Sequence, residues 1–490
     1  MFVNMVRALA ATAVLGIASA SAQPAVAPSS DGSQSVLALQ SKASRSGGAL
    51  RVIVELKGGV GVAVPDSAAG DAAVAAALHD AQSAVAARVL GSSGRIDTRM
   101  DTVPMFVTRA TPAEIARLAA DPSVLRIHED RADPPLLRDS LPLIRMTGAG
   151  GAFTKGARGA GRAVAVLDTG VNKLHEFVKG RVVSEACFSS TVAADGSTSL
   201  CPRGAKQSTA AGSGADCAAS ISGCGHGTHV AGIAAGKNPS VIASEPVTGV
   251  APSAGIVAIK VFSKFTGSNC GSSSPCVLSY TSDQIKALER VFALRLGVAG
   301  RKIDSVNMSL GGGGFTGFCN SDSRKPIIDK LRKAGIATVI ASGNSFFING
   351  VGAPGCIQTA ITVGSSTKKA AGKPERMSNY TNQGPQVDTL ATGGDTGGYP
   401  FPTTRSNILS SRFNTYAGLS GTSMAAPHVA GAIAAIRSRA ACRTKTVAQI
   451  ETALQTTGPV IKDHRKLTGF PQLSERRMDV IAVMKKLGCV

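Results

Sequence analysis

The sequence predicts an α/β protein built in two parts: a doubly wound, mostly parallel sheet with helices on both faces, preceded by a small α+β unit of ferredoxin-like layout. Three observations carry this. After residue 160, short Val/Ile runs alternate with Ala-rich stretches of helical spacing, a pattern that sets parallel strands side by side and sends the crossovers over both faces. Between residues 50 and 127 the period switches β-α-β-α-β within a much shorter span. The 490 residues are enough to bury two such cores.

Taken in order, Met1 to Ala22 carries Arg7, an apolar run from Ala8 to Ala20 and the small-residue site Ala20-Ser21-Ala22, the layout of a secretory signal. The run falls short of the ~20 apolar residues that a membrane span needs, and no other stretch reaches that length. An exported product, extracellular or periplasmic, with no membrane partner is therefore expected. Residues 23–48 are rich in Ala, Ser, Pro, Gly and Gln without a period and read as a flexible lead-in.

Residues 49–140 hold the small unit. Leu50 to Leu56 reads as a strand, and Asp71 to Leu90 places Val74, Leu78, Ala81, Val85 and Val89 on one helical stripe. Arg95 to Met100 and Pro104 to Arg109 read as further strands. Thr111-Pro112-Ala113-Glu114 is a capping box with Pro at the first helical position, and Asp121-Pro122 ends that helix. Val124 to Ile127 closes the unit.

Residues 141–490 hold the large sheet. Thr147 to Gly161 is Gly-rich, but its glycines precede a strand instead of following one, so it reads as a loop and not as a phosphate cradle. The strand Ala163 to Leu167 is followed by Gly255 to Phe262, Ile303 to Met308, Ile336 to Ala341 and Ala360 to Val363, with helical segments at Asp283 to Gly297 and Pro326 to Gly335. Ser184 to Gly223 and Ser263 to Pro275, Ser/Gly-rich and bearing cysteines, read as inserted surface loops. Thr444 to Val490 reads as terminal helices.

The formal charge of +21 raises a nucleic-acid partner, yet there is no Trp, there are four Tyr, and Lys and Arg are scattered. A stacking platform or dense basic run is missing, so no nucleic-acid partner is expected. The ten cysteines all lie at or after Cys187, an even number that points to disulfides in an oxidising compartment. A zinc cluster of Cys217, Cys224, His226 and His229 would consume a histidine needed elsewhere and lacks an HExxH motif, so no metal ligands are assigned.

The chemistry centres on Gly421-Thr422-Ser423-Met424-Ala425-Ala426-Pro427-His428-Val429-Ala430-Gly431. A polar turn runs into an Ala/Val helix, so Ser423 sits at a helix N-terminus, where free amides favour developing negative charge. A serine hydroxyl needs a base to take its proton and an acid to orient that base. Gly225-His226-Gly227-Thr228-His229 supplies the base as His226, and Val164 to Gly170, a strand ending in Asp168, supplies the acid. His229 and His428 lie three to five residues from these groups and read as structural. The order Asp, His, Ser and the absence of a G-x-S-x-G elbow argue against an α/β-hydrolase esterase.

These three segments resemble the signature blocks of the subtilisin-like (S8) serine proteases. The resemblance extends to Gly249-Val250-Ala251-Pro252, to Ile259-Lys260-Val261-Phe262, to Asn307-Met308-Ser309-Leu310-Gly311-Gly312 and to Ala341-Ser342-Gly343-Asn344, covering most of residues 145–440. It implies a serine endopeptidase with Asp168, His226 and Ser423 as the triad and Asn344 as oxyanion donor. It further implies that Ser309, Leu310 and Gly311 pair with an extended substrate, and that Ala341, Ser342 and Gly343 wall a P1 pocket suited to large apolar side chains.

The small unit resembles the family's inhibitory propeptide, with its tail, about Glu129 to Arg145, in the cleft and Leu136, Leu137, Arg138 or Leu141 as the residue before the cut. A secreted, self-processed monomer acting on polypeptides and held by its own propeptide is expected; the alternative is a catalytically silent binding protein of the same fold. No cofactor is required, and structural calcium, common in the family, has no ligand set that carries over. Leu390-Ala391-Thr392-Gly393 departs from the family's Ala-Pro-Gly turn. Expected disulfides are Cys270–Cys276, Cys319–Cys356 and Cys442–Cys489, with Cys187, Cys201, Cys217 and Cys224 left open.

Overall fold

The computed structural model describes residues 35–45, 47–57, 68–91, 95–130, 132–133, 141–237, 248–367, 375–394, 408–409, 416–417, 419–465 and 472–490. The expected export signal, the first part of the lead-in and, from the tail expected in the cleft, residues 131 and 134–140 with the candidate cut residues Leu136, Leu137 and Arg138 lie outside these residues.

The small unit begins earlier than the sequence suggests. Val36–Arg45 is a helix, α1, where a flexible lead-in was expected; Leu39 and Ala43, four residues apart, are its two buried anchors. Two anchors on a single face leave too short a pattern to register as a period. Its Gln40 Nε2 donates to the Pro112 carbonyl at 3.0 Å. Strands β1 (Leu50–Leu56), β2 (Thr98–Arg99), β3 (Met105–Ala110) and β4 (Val124–Glu129) form a sheet of order β2-β3-β1-β4, all pairs antiparallel. Helices α2 (Ala68–Leu90) and α3 (Pro112–Ala120) complete it, the latter opened by the Thr111/Glu114 capping box.

The period of two along β1 decides how this unit docks. Val52 and Val54 face inward, onto a core with Leu39, Phe106, Ile115 and Leu118. Ile53 faces the other way and, with Met100, Val103, Met105 and Val107, joins the core of the larger domain. Both faces of the small sheet are therefore covered, and every residue of β1 is buried.

The larger domain contains β5 (Ala132–Asp133, from the small unit's end), β6 (Arg162–Asp168), β7 (Val182–Phe188), β8 (Ser197–Thr198), β9 (Gln207–Ser208), α4 (His226–Ala235), β10 (Gly255–Lys260), β11 (Ser263–Phe265), β12 (Cys276–Tyr280), α5 (Thr281–Ala293), β13 (Lys302–Met308), β14 (Gly312–Phe315), α6 (Lys325–Lys333), β15 (Ala337–Ala341), β16 (Val351–Ala353), β17 (Ile361–Ser366) and β18 (Thr389–Thr392). Helices α7 (Thr422–Arg437), α8 (Val447–Thr456) and α9 (Val480–Lys486) end the chain. The main sheet runs β18-β17-β15-β13-β6-β10-β7-β9, parallel except for the edge strand β9.

Alternation along the strands feeds two cores. Val164, Val166, Ile256 and Val339 meet α4, α7, α8 and α9 on one face. Ala165, Leu167, Val257 and Ile340 meet α5 and α6 on the other, the face that also receives the small unit. The expected inserted loop Ser184 to Gly223 is corrected in one respect: its first residues belong to β7, a strand of the main sheet. Ser184 and Glu185 interrupt the apolar run, and Glu185 Oε2 instead accepts from Lys173 Nζ at 2.6 Å and from the Gly212 N–H at 2.9 Å.

All ten cysteines pair, as Cys187–Cys201, Cys217–Cys224, Cys270–Cys276, Cys319–Cys356 and Cys442–Cys489. The three expected bridges form, and the open four resolve into the two shortest local pairings. Among the described residues no helix is long and apolar enough to cross a membrane.

From β6 the chain first visits β7 and β10 on one side, then returns to build β13, β15, β17 and β18 on the other. The order reverses around β6, which opens a crevice beyond the carboxyl ends of β6 and β13, where open parallel sheets place their sites.

Candidate active site

Asp168 is the last residue of β6 and Ser309 follows the last residue of β13, so both sit at the mouth of that crevice. Asp168 is fully buried. Its Oδ1 accepts from the Thr169 N–H at 2.7 Å and from His226 Nδ1 at 2.6 Å. Because Nδ1–H donates to the carboxylate, Nε2 is left as the nitrogen able to accept a proton.

His226 is the first residue of α4 and is 3 % exposed. A close approach delivers it: a Cβ at Gly227 would lie 2.2 Å from the Gly170 carbonyl oxygen and 3.0 Å from the Asp168 Cβ. Only glycine lets the helix start press against the loop that follows Asp168.

Ser423 is the second residue of α7, which packs against α4 and crosses β13. Ser305 Oγ donates to the Ala430 carbonyl at 2.8 Å, fastening the helix to the strand. Ser309 Oγ donates to the Ser423 carbonyl at 2.7 Å and accepts from Asn307 Nδ2 at 2.9 Å. In return Ser423 Oγ donates to the Ser309 carbonyl at 3.3 Å. Ser309 is thus fully buried and serves to seat Ser423, while Leu310 is buried beside it and Gly311 leads into β14.

Asn344 follows β15 through Ser342 and Gly343. Its Oδ1 accepts from both the backbone N–H and the hydroxyl of Thr422, at 2.9 and 3.0 Å. A backbone N–H can only donate, so chemistry alone sets the amide orientation. The Nδ2 end is buried and has no acceptor among the described residues. An amide donor with its oxygen locked and its N–H₂ unspent, next to the residue that follows Thr422, is the arrangement an oxyanion donor requires.

Ala341 ends β15 and Ser342 and Gly343 follow it; Asn382, which sequence reasoning missed, holds this turn. Asn382 Nδ2 donates to the Ser342 carbonyl at 3.1 Å, and its Oδ1 accepts from the N–H groups of Ser345 and Phe347 at 2.8 and 3.2 Å. Ser342 Oγ donates to the Asn382 carbonyl at 2.9 Å. Gly343 has φ +105°, and a Cβ there would lie 2.4 Å from Asn382 Nδ2. β16 lies beside this turn: the Gly352 N–H donates to the Ser342 carbonyl at 2.8 Å, and β16 pairs antiparallel with β14.

A second missed residue is Asp216, from the stretch read as an inserted loop. The residue is half-buried, but four donors enclose its carboxylate, and burial pushes the carboxyl up to about 6, with Asp168 nearby adding to the rise. The one signal available was that Asp216 is the lone acid between Asp195 and Glu245. His229 and His428 are both buried, and His428 Nδ1 donates to the Met424 carbonyl at 2.6 Å, a structural bond. Among the described residues no three His, Cys, Asp or Glu side chains converge to hold a metal, and no calcium site is assigned.

On the far side of the crevice the small unit adds a strand. Ala132 and Asp133 in β5 pair antiparallel with Tyr280 and Ser279 of β12. Next to this pairing Asp130 caps α5, accepting from the Ser282 N–H and hydroxyl at 2.7 and 2.6 Å. A cavity of about 670 Å³ opens between the two units beside the turn before His226, with Arg51, Asp130, Ser222, Gly223 and Tyr280 in its walls.

With this geometry in place, comparison with known proteins is direct. The model of the Subtilase family matches residues 159–476. Subtilisin E of Bacillus subtilis is 28% identical over 367 residues, covering 74% of this chain and 78% of that protein. Subtilisin DY of Bacillus licheniformis is 30% identical over 327 residues, covering 66% of this chain and 92% of that protein. An extracellular protease of Xanthomonas campestris pv. campestris is 29% identical over 360 residues, 70% of this chain but 56% of its own length. In structure, fervidolysin from Fervidobacterium pennivorans, described as a keratinolytic enzyme related to subtilisin, superposes with a TM-score of 0.59 at 17% identity over 89% of this chain and 61% of its own, a likeness of fold.

Proposed function

Because this chain belongs to the subtilase family and is a serine endopeptidase, we propose that it cleaves peptide bonds through Asp168, His226 and Ser423 and is made as a self-processed, exported zymogen. Ser423 Oγ attacks the scissile carbonyl. His226 Nε2 takes its proton and returns it to the leaving amine. Asp168, bonded to Nδ1 at 2.6 Å, holds the tautomer and stabilises the imidazolium. The oxyanion that forms is met by Asn344 Nδ2 and the Ser423 N–H at the start of α7. Substrate lies as an extended strand along Ser309, Leu310 and Gly311, its P1 side chain between Ala341–Gly343 and the β14–β16 pair, and the small residues of both walls favour a large apolar P1.

The observation that carries this reading is the unspent Asn344 amide, locked by the residue that precedes Ser423. Its Oδ1 end is held by Thr422, while its Nδ2 end has no acceptor among the described residues. In the zymogen, residues up to the cut act as an intramolecular inhibitor: the β5–β12 pairing leads the chain from the small unit toward the cleft, and the Asp130 cap anchors it on α5. The Xanthomonas relative is an extracellular protease, which supports export of this chain by the segment Met1 to Ala22; the exported chain acts as a monomer.

The test is to express wild type and Ser423→Ala side by side in a protease-free host. Wild type is expected to separate its two parts and to take one fluorophosphonate per chain at Ser423; Ser423→Ala is expected to stay uncut and unlabelled. Cutting of the Ser423→Ala chain at the wild-type position would defeat self-processing, and a wild type that takes no label would be a silent binding protein.

A further inference from the structure

Asp216 lies outside the proposed triad, yet its hydrogen bonds join the two segments that carry Asp168 and His226. Its Oδ1 accepts from the N–H groups of Cys217 and Gly225 at 2.9 and 3.1 Å and from Thr169 Oγ1 at 3.2 Å. Its Oδ2 accepts from Thr228 Oγ1 at 2.5 Å. Both hydroxyls pass the connection on. Thr169 Oγ1 accepts from the Gly227 N–H at 3.0 Å, and Thr228 Oγ1 accepts from the Asn172 N–H at 2.8 Å.

The first turn of α4 has no side-chain cap of its own, since its N-cap is Gly225. Two of its orphan N–H groups, those of Gly225 and Gly227, are met by Asp216 and by the threonine that Asp216 orients. A negative charge also sits where the helix dipole favours one. The Cys217–Cys224 bridge closes the seven-residue span between Asp216 and the helix start, so the carboxylate is held on a short staple and not on a free loop.

From this we propose that Asp216 is a positioning residue for the reaction: one buried carboxylate fixes the Asp168 strand end and the His226 helix start against each other, and its charge supports the imidazolium. The proposal rests on the triad reading above. The charged groups that interact with it are Asp168 on β6 and Lys260 at the end of β10, in register with Asp168, and His226 is the residue after the Gly225 whose N–H it accepts. The Lys260 ammonium donates to the Leu200 carbonyl at 3.0 Å and is drawn by the charges of Asp216 and Glu185. Loss of the Asp216 charge therefore leaves the imidazolium with one fewer anion nearby.

The test compares wild type, Asp216→Asn, Asp216→Ala and Asp168→Asn as full chains, each matured where needed by a trace of tagged wild type that is then removed. kcat and KM on a peptide amide are measured across pH, per serine labelled by fluorophosphonate, together with Tm. Asp216→Asn keeps the three acceptor bonds at Oδ1, so it retains most of kcat while the acid limb of the pH profile moves to lower pH. Asp216→Ala loses all four bonds, and misplacement of the imidazole lowers kcat by roughly 10²-fold with KM little changed. If both variants keep the wild-type acid limb and kcat per labelled serine and differ only in Tm, Asp216 is merely structural and the proposal is overturned. Asp168→Asn is the control for the reading beneath it, expected to lose roughly 10⁴-fold; wild-type rates there would sink the triad and not the role of Asp216 alone.

Discussion

The Thr422 hydroxyl stands between Gly343 and Asn344: it accepts the Gly343 N–H at 3.2 Å and donates to Asn344 Oδ1 at 3.0 Å. One side chain at the start of α7 therefore sets the turn after β15 and aims the Asn344 amide. Asn344→Ala is expected to lower kcat by roughly 10² to 10³, the scale known for this donor in subtilisin-type enzymes. Thr422→Val, which keeps the shape and removes the hydroxyl, is expected to cost roughly tenfold in kcat, one hydrogen bond's worth. In both variants KM should stay near wild type, because the donor acts on the transition state. Steady-state kinetics on a peptide amide checks this.

Asn382 bonds the Ser342 carbonyl and the Ser345 and Phe347 N–H groups at once. Asn382→Ala orphans all three, and a loss of about 2–3 kcal/mol in stability is expected. The turn from Ser342 to Phe347, which adjoins the P1 site proposed above, loosens with it, so KM should rise for substrates with a large apolar P1 and change less for a small one. Denaturant unfolding and a P1 substrate series measure the two effects.

Arg51, buried on the small unit, bonds Asp130 at 2.5 Å, Asp97 at 3.0 Å and the hydroxyls of Ser190 and Ser282 at 3.2 Å each. Arg51→Met leaves the buried Asp130 carboxylate without its cation and removes the bonds to Ser190 and Ser282, and about 3–5 kcal/mol of lost stability is expected, felt where the two units meet. Limited proteolysis of the small unit in the full-length Ser423→Ala chain reports it, and faster digestion is the expected result.

Asp283 gives the fold a pH dependence. Burial pushes its carboxyl up to about 7, while Arg51 pulls the other way and Asp130 adds to the rise. A carboxyl whose folded value lies above its unfolded value opposes folding increasingly as pH climbs from about 4 to about 7, and no further beyond. Asp283→Asn in the full-length Ser423→Ala chain is thus expected to lessen the loss of stability between pH 5 and pH 8. Denaturant unfolding of the two chains at the two pH values decides it.

The Cys442–Cys489 bridge closes 47 residues around α8 and α9. Replacing both by Ser is expected to cost about 4 kcal/mol from loop-closure entropy. The crevice lies at the other end of α7, so kcat per labelled serine should hold while Tm falls.

How much of this was legible beforehand depended on how local the cause is. The parallel sheet follows from apolar runs such as Ala163 to Leu167, and the capping box at Thr111 follows from four consecutive residues, because strand burial and helix capping are set by near neighbours. Candidates for acid, base and nucleophile could be named for the same reason: Asp168 ends a strand, and His226 and Ser423 open small-residue helices. β7 was not foreseen because Ser184 and Glu185 break its apolar run, and Glu185 is tolerated there through Lys173 and Gly212, which come from other segments. The helix Val36–Arg45 was hidden because its stability comes from the unit it packs on.

By itself, then, the sequence determined the layered architecture, the family and the residue types available for catalysis, since each is written in short-range pattern. Only the tertiary structure decided which acid supports the His226 helix, which asparagine braces the pocket wall and which arginine ties the two units together. Asp216, Asn382 and Arg51 draw their roles from partners tens to hundreds of residues away or from loops of irregular backbone. A hydrogen bond of that kind depends on where two segments meet, and no periodicity in either segment encodes it.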